Sequence, residues 1–576
     1  MTRTDRSWMA GYEPPVDARL AASVLFLRDG AAGLEVLMLQ RAERDGDLRS
    51  GVMVFPGGVV EASDAAAGAL CLGDDDAAWS QRLGMSRGGQ AFAVAAVREA
   101  YEEVGLLLAA STEGATSGVA EQAHALAAWR PRLNAGEVSL AAFCEAHSLR
   151  PDLRGLAYAA HWITPPGMPR RFDTRFYWAL APQGQVAEAD KGEAVALAWL
   201  TPTEALSPER GLKLLPVTRR VLQELARFPD AAAAWAHARD RREVPLTMPR
   251  VGRTGRGPRV VLPDELPWAE IGRLDPEGRG DVSAELVSGV AVALSPRVLR
   301  VTAPNPGPMT GPGTNTYLVR DADRPGAPRW TVIDPGPDDP AHVQRLLEVA
   351  AADGGVIERI LVTHTHRDHS PAAAPLAAAT GAPCWGLTTT VGQGQDATFV
   401  PDHRPADLER LVFGPGTTLQ ALHTPGHASN HVCWLLEEER LLFTGDHVMQ
   451  GSTVVINPPD GDMVAYLKAL ERLLSLPLEW LAPGHGFLVA RPHDVVRGLV
   501  AHRLRREDKV ARALQAAGPV TLSALVPKVY DDVPAALHGV AARSLLAHLL
   551  KLQHDGRARC ADGAGEQGPW QSRGED

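Results

Sequence analysis

The chain has 576 residues and a mass of 61.5 kDa, enough at roughly 150 residues per domain for three or four compact units. Its 45% hydrophobic and 22% charged composition excludes a disordered or collagen-like chain, and a formal charge of −11 excludes a wholly basic nucleic-acid coat. The five cysteines, at 71, 144, 384, 433 and 560, are scattered, odd in number and without CxxC spacing, which excludes a disulfide framework or a thiolate zinc cluster and fits a reducing cytoplasm. No apolar run approaches the roughly 18 residues of a membrane helix. The early stretch Ala21 to Phe26 is too short for a secretory core and alternates like a strand. A cytoplasmic, multi-domain α/β protein without a membrane partner is expected.

Residues 1–17 read as an N-terminal arm. From 18 to 245, strand-like runs (ASVLFL, LEVLMLQR) lead through Ala-rich helical patterns back to strands at TRFYWAL and AVALAWL. Within this span, Val97 to Leu106 reads VREAYEEVGL. Glu99, Glu102 and Glu103 are spaced i, i+3, i+4 and share one helix face. Three like charges there repel unless a divalent, oxygen-seeking cation such as Mg²⁺ or Mn²⁺ neutralises them, and such a cation recruits diphosphate oxygens. Upstream, Phe55-Pro56-Gly57-Gly58 lets a backbone loop approach the helix closely. The bland alternative is a solvated, ion-paired helix face.

These two segments resemble the Nudix hydrolase box at Gly58 and at Arg98 to Leu106. The resemblance implies an α/β/α sandwich in which Glu99, Glu102 and Glu103 hold the metal and Glu99 and Glu102 are catalytic. Two departures stand out. The intermediate Glu of the box is replaced by Asp64, and 33 residues separate Asp64 from Arg98, where the family has a much shorter spacer. The interrupted box, with RRFDTRFYW, is similar to the coenzyme A diphosphatase-like branch. Arg170, Arg171 and Arg175, interleaved with Phe172, Tyr177 and Trp178, read either as phosphate contacts beside a stacked base or as arginines on an amphipathic strand.

A Pro/Gly/Arg-rich stretch over 246–284 reads as an extended connection with little helix. Residues 285–491 then alternate short apolar strands with helices. A strand ends at His364 in ILVTHTHRDH, so His364 and His366 project to the same side, and Asp368 and His369 follow at the turn. Imidazoles and a carboxylate at this density suit Zn²⁺, with Fe or Mn as less favoured occupants. Four further fragments place a polar residue just past an apolar strand: Asp334 in TVIDPG, His427 in HTPGH, Asp446 in LLFTGD and His485 in WLAPGH.

In this order the five fragments resemble the metallo-β-lactamase superfamily. The resemblance implies a four-layer αβ/βα sandwich with two metals between the sheets. One metal would take His364, His366 and His427, the other Asp368, His369 and His485, with Asp446 bridging and Asp334 orienting the loop behind them. Asp368 would also be catalytic, and a shared water acidified toward ~7 would attack an ester, thioester or phosphodiester. Asn305 to Pro308, GTNTYLV and the APGHG phrase are similar to the lactamase-β-like branch, some of whose members cleave single-stranded RNA. Asn315 with Thr316 would then line the entrance, and His431 would be an outer hydrogen-bonding or proton-shuttling group or a plain core residue.

Residues 492–560 carry three helical patterns, Leu499 to Leu514, Leu522 to Tyr530 and Ala536 to His554, and resemble the winged-helix unit that follows in that branch. The basic residues at 497, 503, 505, 506 and 509 read either as a phosphate-contacting surface or as a solvated face, with packing onto the catalytic domain expected over duplex reading. Residues 561–576 are expected to be a disordered tail. Three functions follow. One is a bifunctional hydrolase acting on phosphoanhydride and ester or thioester substrates such as coenzyme A or acyl-CoA. The second keeps the zinc enzyme but makes the Nudix-like unit a nucleotide sensor, and the third is a nucleic-acid-binding adaptor.

Overall fold

A computed structural model describes residues 8–42, 50–112, 126–190, 194–321, 326–391, 394–414, 416–561 and 568–573. The chain forms two units, one made chiefly of residues up to Val251 and one chiefly of residues from Asp264 onward. Among the described residues no helix is long and apolar enough to cross a membrane.

The first unit is built on the strand Ala18–Gly30, which pairs in parallel with Arg171–Leu180 and antiparallel with Gly33–Arg41 and Gly57–Val59. The period of two along the strand separates its side chains into two cores. Leu20, Ala22, Val24 and Phe26 pack on one face against the helix Gly89–Val104. Leu25 and Leu27 pack on the other against the helices Pro216–Leu225 and Ala231–Asp240. A sheet covered by helices on both faces is an α/β/α sandwich.

The second unit contains two six-stranded sheets, one running from Ala291–Ala293 to Cys384–Trp385 and the other from Arg410–Gly414 to Val489–Ala490. Tyr317, Val319, Ile333 and Leu361 of the first meet Leu419, Val432, Trp434 and Phe443 of the second in a shared core. The alternate residues Leu318, Val332 and Ile360 turn outward against helices Pro340–Ala351 and Ala373–Thr380. On the opposite side, Leu422, Cys433 and Leu442 pack against the helix Met463–Leu473. The result is the four-layer αβ/βα order.

The segment 246–284 contains more structure than an extended connection. The strands Arg250–Thr254 and Gly257–Val261 are followed by a helix, Trp268–Leu274. Glu270 on that helix is buried and accepts two hydrogen bonds from Arg300, at 2.6 and 2.8 Å. Trp268, Ile271 and Leu274 recur every third residue, but about two turns of helix are too short a pattern to stand out.

The C-terminal helices span Pro492–Ala517, Leu522–Val529 and His538–His554. Pro492 at the first helical position extends the first one ahead of its apolar pattern. The expectation of a disordered tail is corrected in part. Trp570–Ser572 pairs with Ala558–Cys560, exchanges two backbone hydrogen bonds with Val520, and buries the Trp570 indole in the helical core. One large aromatic ring supplies the apolar area that the surrounding polar sequence lacks. Residues 562–567 and 574–576 lie outside the described residues.

Candidate functional site

In the second unit, strand ends of both sheets deliver the side chains. His364, His366 and His427 have candidate donor atoms within 4.8 Å of one another, as do His364, His369 and Asp446, and Asp368, His369 and His485. Asp446 spans these groups. Its Oδ1 lies 3.4 Å from Nε2 of both His369 and His485, and its Oδ2 lies 3.7 Å from Nε2 of His427. His485 Nε2 also sits 3.3 Å from Asp368 Oδ2.

Buried polar atoms normally find partners. Here Nε2 of His364, His369 and His485 and Oδ1 of Asp446 are buried without a hydrogen-bond partner among the described residues. They converge on one space. Imidazole nitrogens and carboxylate oxygens so arranged are the donor set of a divalent transition metal, so the residues fit such a cation.

The opposite ring nitrogens are held from behind, which sets the tautomers. Asp334 Oδ2 meets His369 Nδ1 at 2.9 Å, while its Oδ1 accepts from the Thr363 amide at 2.7 Å. His485 Nδ1 faces the Gly313 carbonyl at 3.1 Å, and His427 Nδ1 faces the Val455 carbonyl at 2.8 Å. Gly484 is required by the crowding. A Cβ there would lie 2.7 Å from His369 Cε1 and 2.8 Å from Asp446 Oδ1.

Burial holds His364 well below its ordinary range and His366 down to about 4, so both rings are neutral at pH 7. His485 is different. Burial opposes its charge, but the neighbouring carboxylates of Asp446 and Asp368 outweigh it and raise the ring to about 9. Without a cation, that proton offsets the carboxylate charge.

Asn315 does not line an entrance. It is fully buried, and its amide donates to the carbonyls of Pro483 at 3.0 Å and Gly486 at 2.8 Å, bracing the turn that carries His485. Thr316 is likewise buried and bonds His342. A short polar residue at a strand start has no sequence mark that separates these two roles. His431 stacks on His364 with ring centroids 5.0 Å apart, bonds Thr424 through Nδ1, and is kept neutral by burial. Thr363, a hydroxyl with no ligand-type mark in the sequence, bonds both Asp334 and His364 Nδ1.

In the first unit, Glu99, Glu102 and Glu103 lie at the end of the helix Gly89–Val104. Arg98 Nη1 donates to Glu99 and Glu102 at 2.9 Å each, and Glu103 accepts from the Gly57 amide at 2.7 Å. Asp64, buried, takes two hydrogen bonds from Arg98, so the shorter carboxylate still anchors the arginine. Burial pushes Glu99 up to about 7 and raises Glu102 as well. Gly58 makes room for this cluster, since a Cβ would lie 2.4 Å from the Glu99 carboxyl. An all-oxygen set suits Mg²⁺ or Mn²⁺, although among the described residues the three glutamates are gathered around Arg98 and Gly57 rather than in a three-donor cluster of their own.

The arginines of the RRFDTRFYW phrase divide. Arg170 is exposed. Arg171 is buried against Asp17, at 2.6 Å, and the Thr164 carbonyl. Arg175 is fully buried, paired with Asp173 and lying under Tyr12 and Phe92. Arg171 is thus held through Asp17 and the Thr164 carbonyl, whereas Arg175 meets Asp173 through Nη1 alone, its Nε and Nη2 being buried without a hydrogen-bond partner among the described residues.

Four of the five basic residues noted on the C-terminal helix, all but Arg505, are engaged. Arg497 pairs with Asp494, Arg506 with Asp532 at 2.8 Å, and Lys509 with Asp531. Arg503 is buried over the Tyr466 ring and donates to the Val454 carbonyl.

A family model for the metallo-beta-lactamase superfamily matches residues 309–485, one for a NUDT19 Nudix domain matches 74–214, and one for a beta-lactamase associated winged helix domain matches 521–570. A "Beta-lactamase-like protein 2 homolog" of Drosophila melanogaster is 30% identical over 284 residues, 48% of this chain and 94% of that protein. An "Atrochrysone carboxyl ACP thioesterase" of Aspergillus chevalieri is 34% identical over 274 residues, covering 46% of this chain and 82% of the relative. Among solved structures, a NUDIX hydrolase from Alicyclobacillus acidocaldarius is 29% identical with a TM-score of 0.32, covering 38% of this chain and 96% of that one.

Proposed function

We propose, for a chain that belongs to the metallo-β-lactamase superfamily and carries a Nudix domain ahead of that unit and a winged helix behind it, a hydrolase with one metal site in each unit. The superfamily unit would hold two cations, zinc in preference to iron or manganese, and cleave an ester or thioester. The Nudix unit would use Mg²⁺ or Mn²⁺ to cleave a nucleoside-diphosphate-linked compound such as coenzyme A or an acyl-CoA.

The observation that carries the first site is the convergence of buried, unpartnered His and Asp atoms around Asp446. When bound, paired cations supply Lewis acidity and acidify water toward neutral pH. The residues do the rest. Asp446 faces both ligand groups, and Asp334, the Gly313 carbonyl and the Val455 carbonyl orient the imidazoles. Asp368, with its side chain 28% exposed against 0–12% for His369, His485, His427 and Asp446, would exchange a proton with a reacting group at the mouth.

Thioester cleavage is favoured over RNA by two considerations. Curated relatives similar to this unit are named thioesterases, and most of the cations on the C-terminal helix are already paired with carboxylates or buried. A coenzyme A theme would join the two sites.

The test compares wild type, Glu102→Gln and His366→Ala on acyl-CoA thioesters, on coenzyme A with Mg²⁺, and on a short single-stranded RNA. Thioester cleavage should survive Glu102→Gln and collapse in His366→Ala, and diphosphate cleavage should show the reverse. RNA cleavage without thioesterase activity would overturn the substrate class. Coenzyme A bound but not cleaved would make the Nudix unit a sensor.

A further inference from the structure

A cavity in the first unit is used by none of the functions above. It has a volume of about 340 Å³ and lies where the helix Asp76–Leu83, the start of the strand Ala157–Ile163 and the chain after the helix Ala231–Asp240 meet. Arg82, Arg154, Arg239, Arg241 and Arg242 line it, and Asp74 is the one acidic residue among the described lining. In a chain with 69 acidic and 58 basic residues, five converging guanidinium groups run against the overall charge.

Three of the five have carboxylate partners. Arg82 pairs with Asp74 at 2.5 Å, Arg154 with Asp152 at 2.8 Å, and Arg241 with Glu224 at 2.5 Å. Arg241 also donates to the Ala159 carbonyl at 2.7 Å, which fixes it to the sheet. Arg239 and Arg242 have no carboxylate within ion-pair distance among the described residues. Arg239 instead lies over the Trp235 ring, 5.0 Å from its centroid, as Arg82 lies over Trp79. Guanidinium groups supported on indoles lose less freedom when they bind an anion. Leu153, Leu156 and Tyr158 add an apolar part to the lining.

We propose that this cavity binds a small organophosphate of nucleotide size. The volume lies at the lower end of the ~300–1,000 Å³ typical of small-molecule pockets, which is too large for an inorganic anion alone. Two guanidinium groups without a carboxylate partner match phosphate oxygens in fork geometry, and the apolar lining accommodates the organic part. The cavity is distinct from the glutamate cluster. The helix Gly89–Val104 meets the cavity-side helix at its first residue, where the Gly89 amide donates to Ser80 Oγ at 2.9 Å. Glu99 lies ten residues, about 15 Å, farther along. The proposal does not depend on the reading of either metal site.

The test is calorimetric titration of the full chain without added Mg²⁺, using ADP, inorganic phosphate and adenosine as probes. Wild type, Glu102→Gln and the double variant Arg239→Glu/Arg242→Glu are compared, with Arg242→Gln as a milder variant should the double one misfold. ADP should bind more tightly than either phosphate or adenosine. Glu102→Gln should leave that affinity unchanged, Arg242→Gln should weaken it about tenfold, and the double variant about a hundredfold. Failure of ADP to bind, equal binding of phosphate and ADP, or binding lost in Glu102→Gln but retained in the arginine variants would each overturn the proposal.

Discussion

Asp334 shows how much one carboxylate does. Its backbone is held in the left-handed region, at φ 51°, and both oxygens are occupied, one by the Thr363 amide and the other by the Thr363 hydroxyl and His369 Nδ1. Asparagine would fit the space, but it replaces one acceptor with a donor. Asp334→Asn should therefore lower affinity for the proposed zinc about 10- to 100-fold while the fold survives, as read by chelator competition and circular dichroism. At this scale the sequence was legible wherever a polar residue follows an apolar strand, because the sandwich brings strand ends together. It was not legible where orientation decides. Nothing in the sequence around Arg175 says that Asp173 and Tyr12 enclose it, or that Asn315 faces the Pro483 turn and not a substrate.

Among the elements, the helix His538–His554 carries a buried titratable group with no catalytic use. His548 is fully buried, both ring nitrogens lack a partner among the described residues, and burial, with Arg503 and Lys551 nearby, pulls it from 6.5 down to about 3. In the folded state it stays neutral, whereas the unfolded chain takes up a proton below pH 6.5. Its contribution is thus present above 6.5 and lost as the pH falls toward 3, at up to about 1.4 kcal/mol per pH unit. His548→Phe should flatten the decline in melting temperature of the C-terminal helices between pH 7 and pH 5. An unchanged slope would assign the decline to other groups. Elements also differed in legibility by length: long periodic helices stood out, while Trp268–Leu274 and Trp570–Ser572 are too short to carry a pattern and exist because Glu270 and Trp570 have tertiary partners.

For the molecule as a whole, the order Nudix domain, superfamily sandwich, winged helix was readable from motifs spread across the chain. Where one unit stops was less so, since the helix bearing Glu270 belongs to the second unit although it sits in the Pro/Gly/Arg-rich stretch. A fragment starting at residue 264 keeps the Glu270–Arg300 pair, which is 2% exposed on both sides. One starting at 285 leaves Arg300 buried and uncompensated, and should lose about 3–5 kcal/mol in urea unfolding relative to the longer fragment.

The buried Arg503 has a consequence beyond packing. It grips the Val454 carbonyl, and the very next carbonyl, that of Val455, holds His427 from behind. The far end of the polypeptide thus clamps the scaffold of an imidazole proposed to grasp zinc. Heating should release chelatable zinc at the temperature where the last helices come undone, ahead of the sandwich itself, and Arg503→Met should bring that release to a lower temperature.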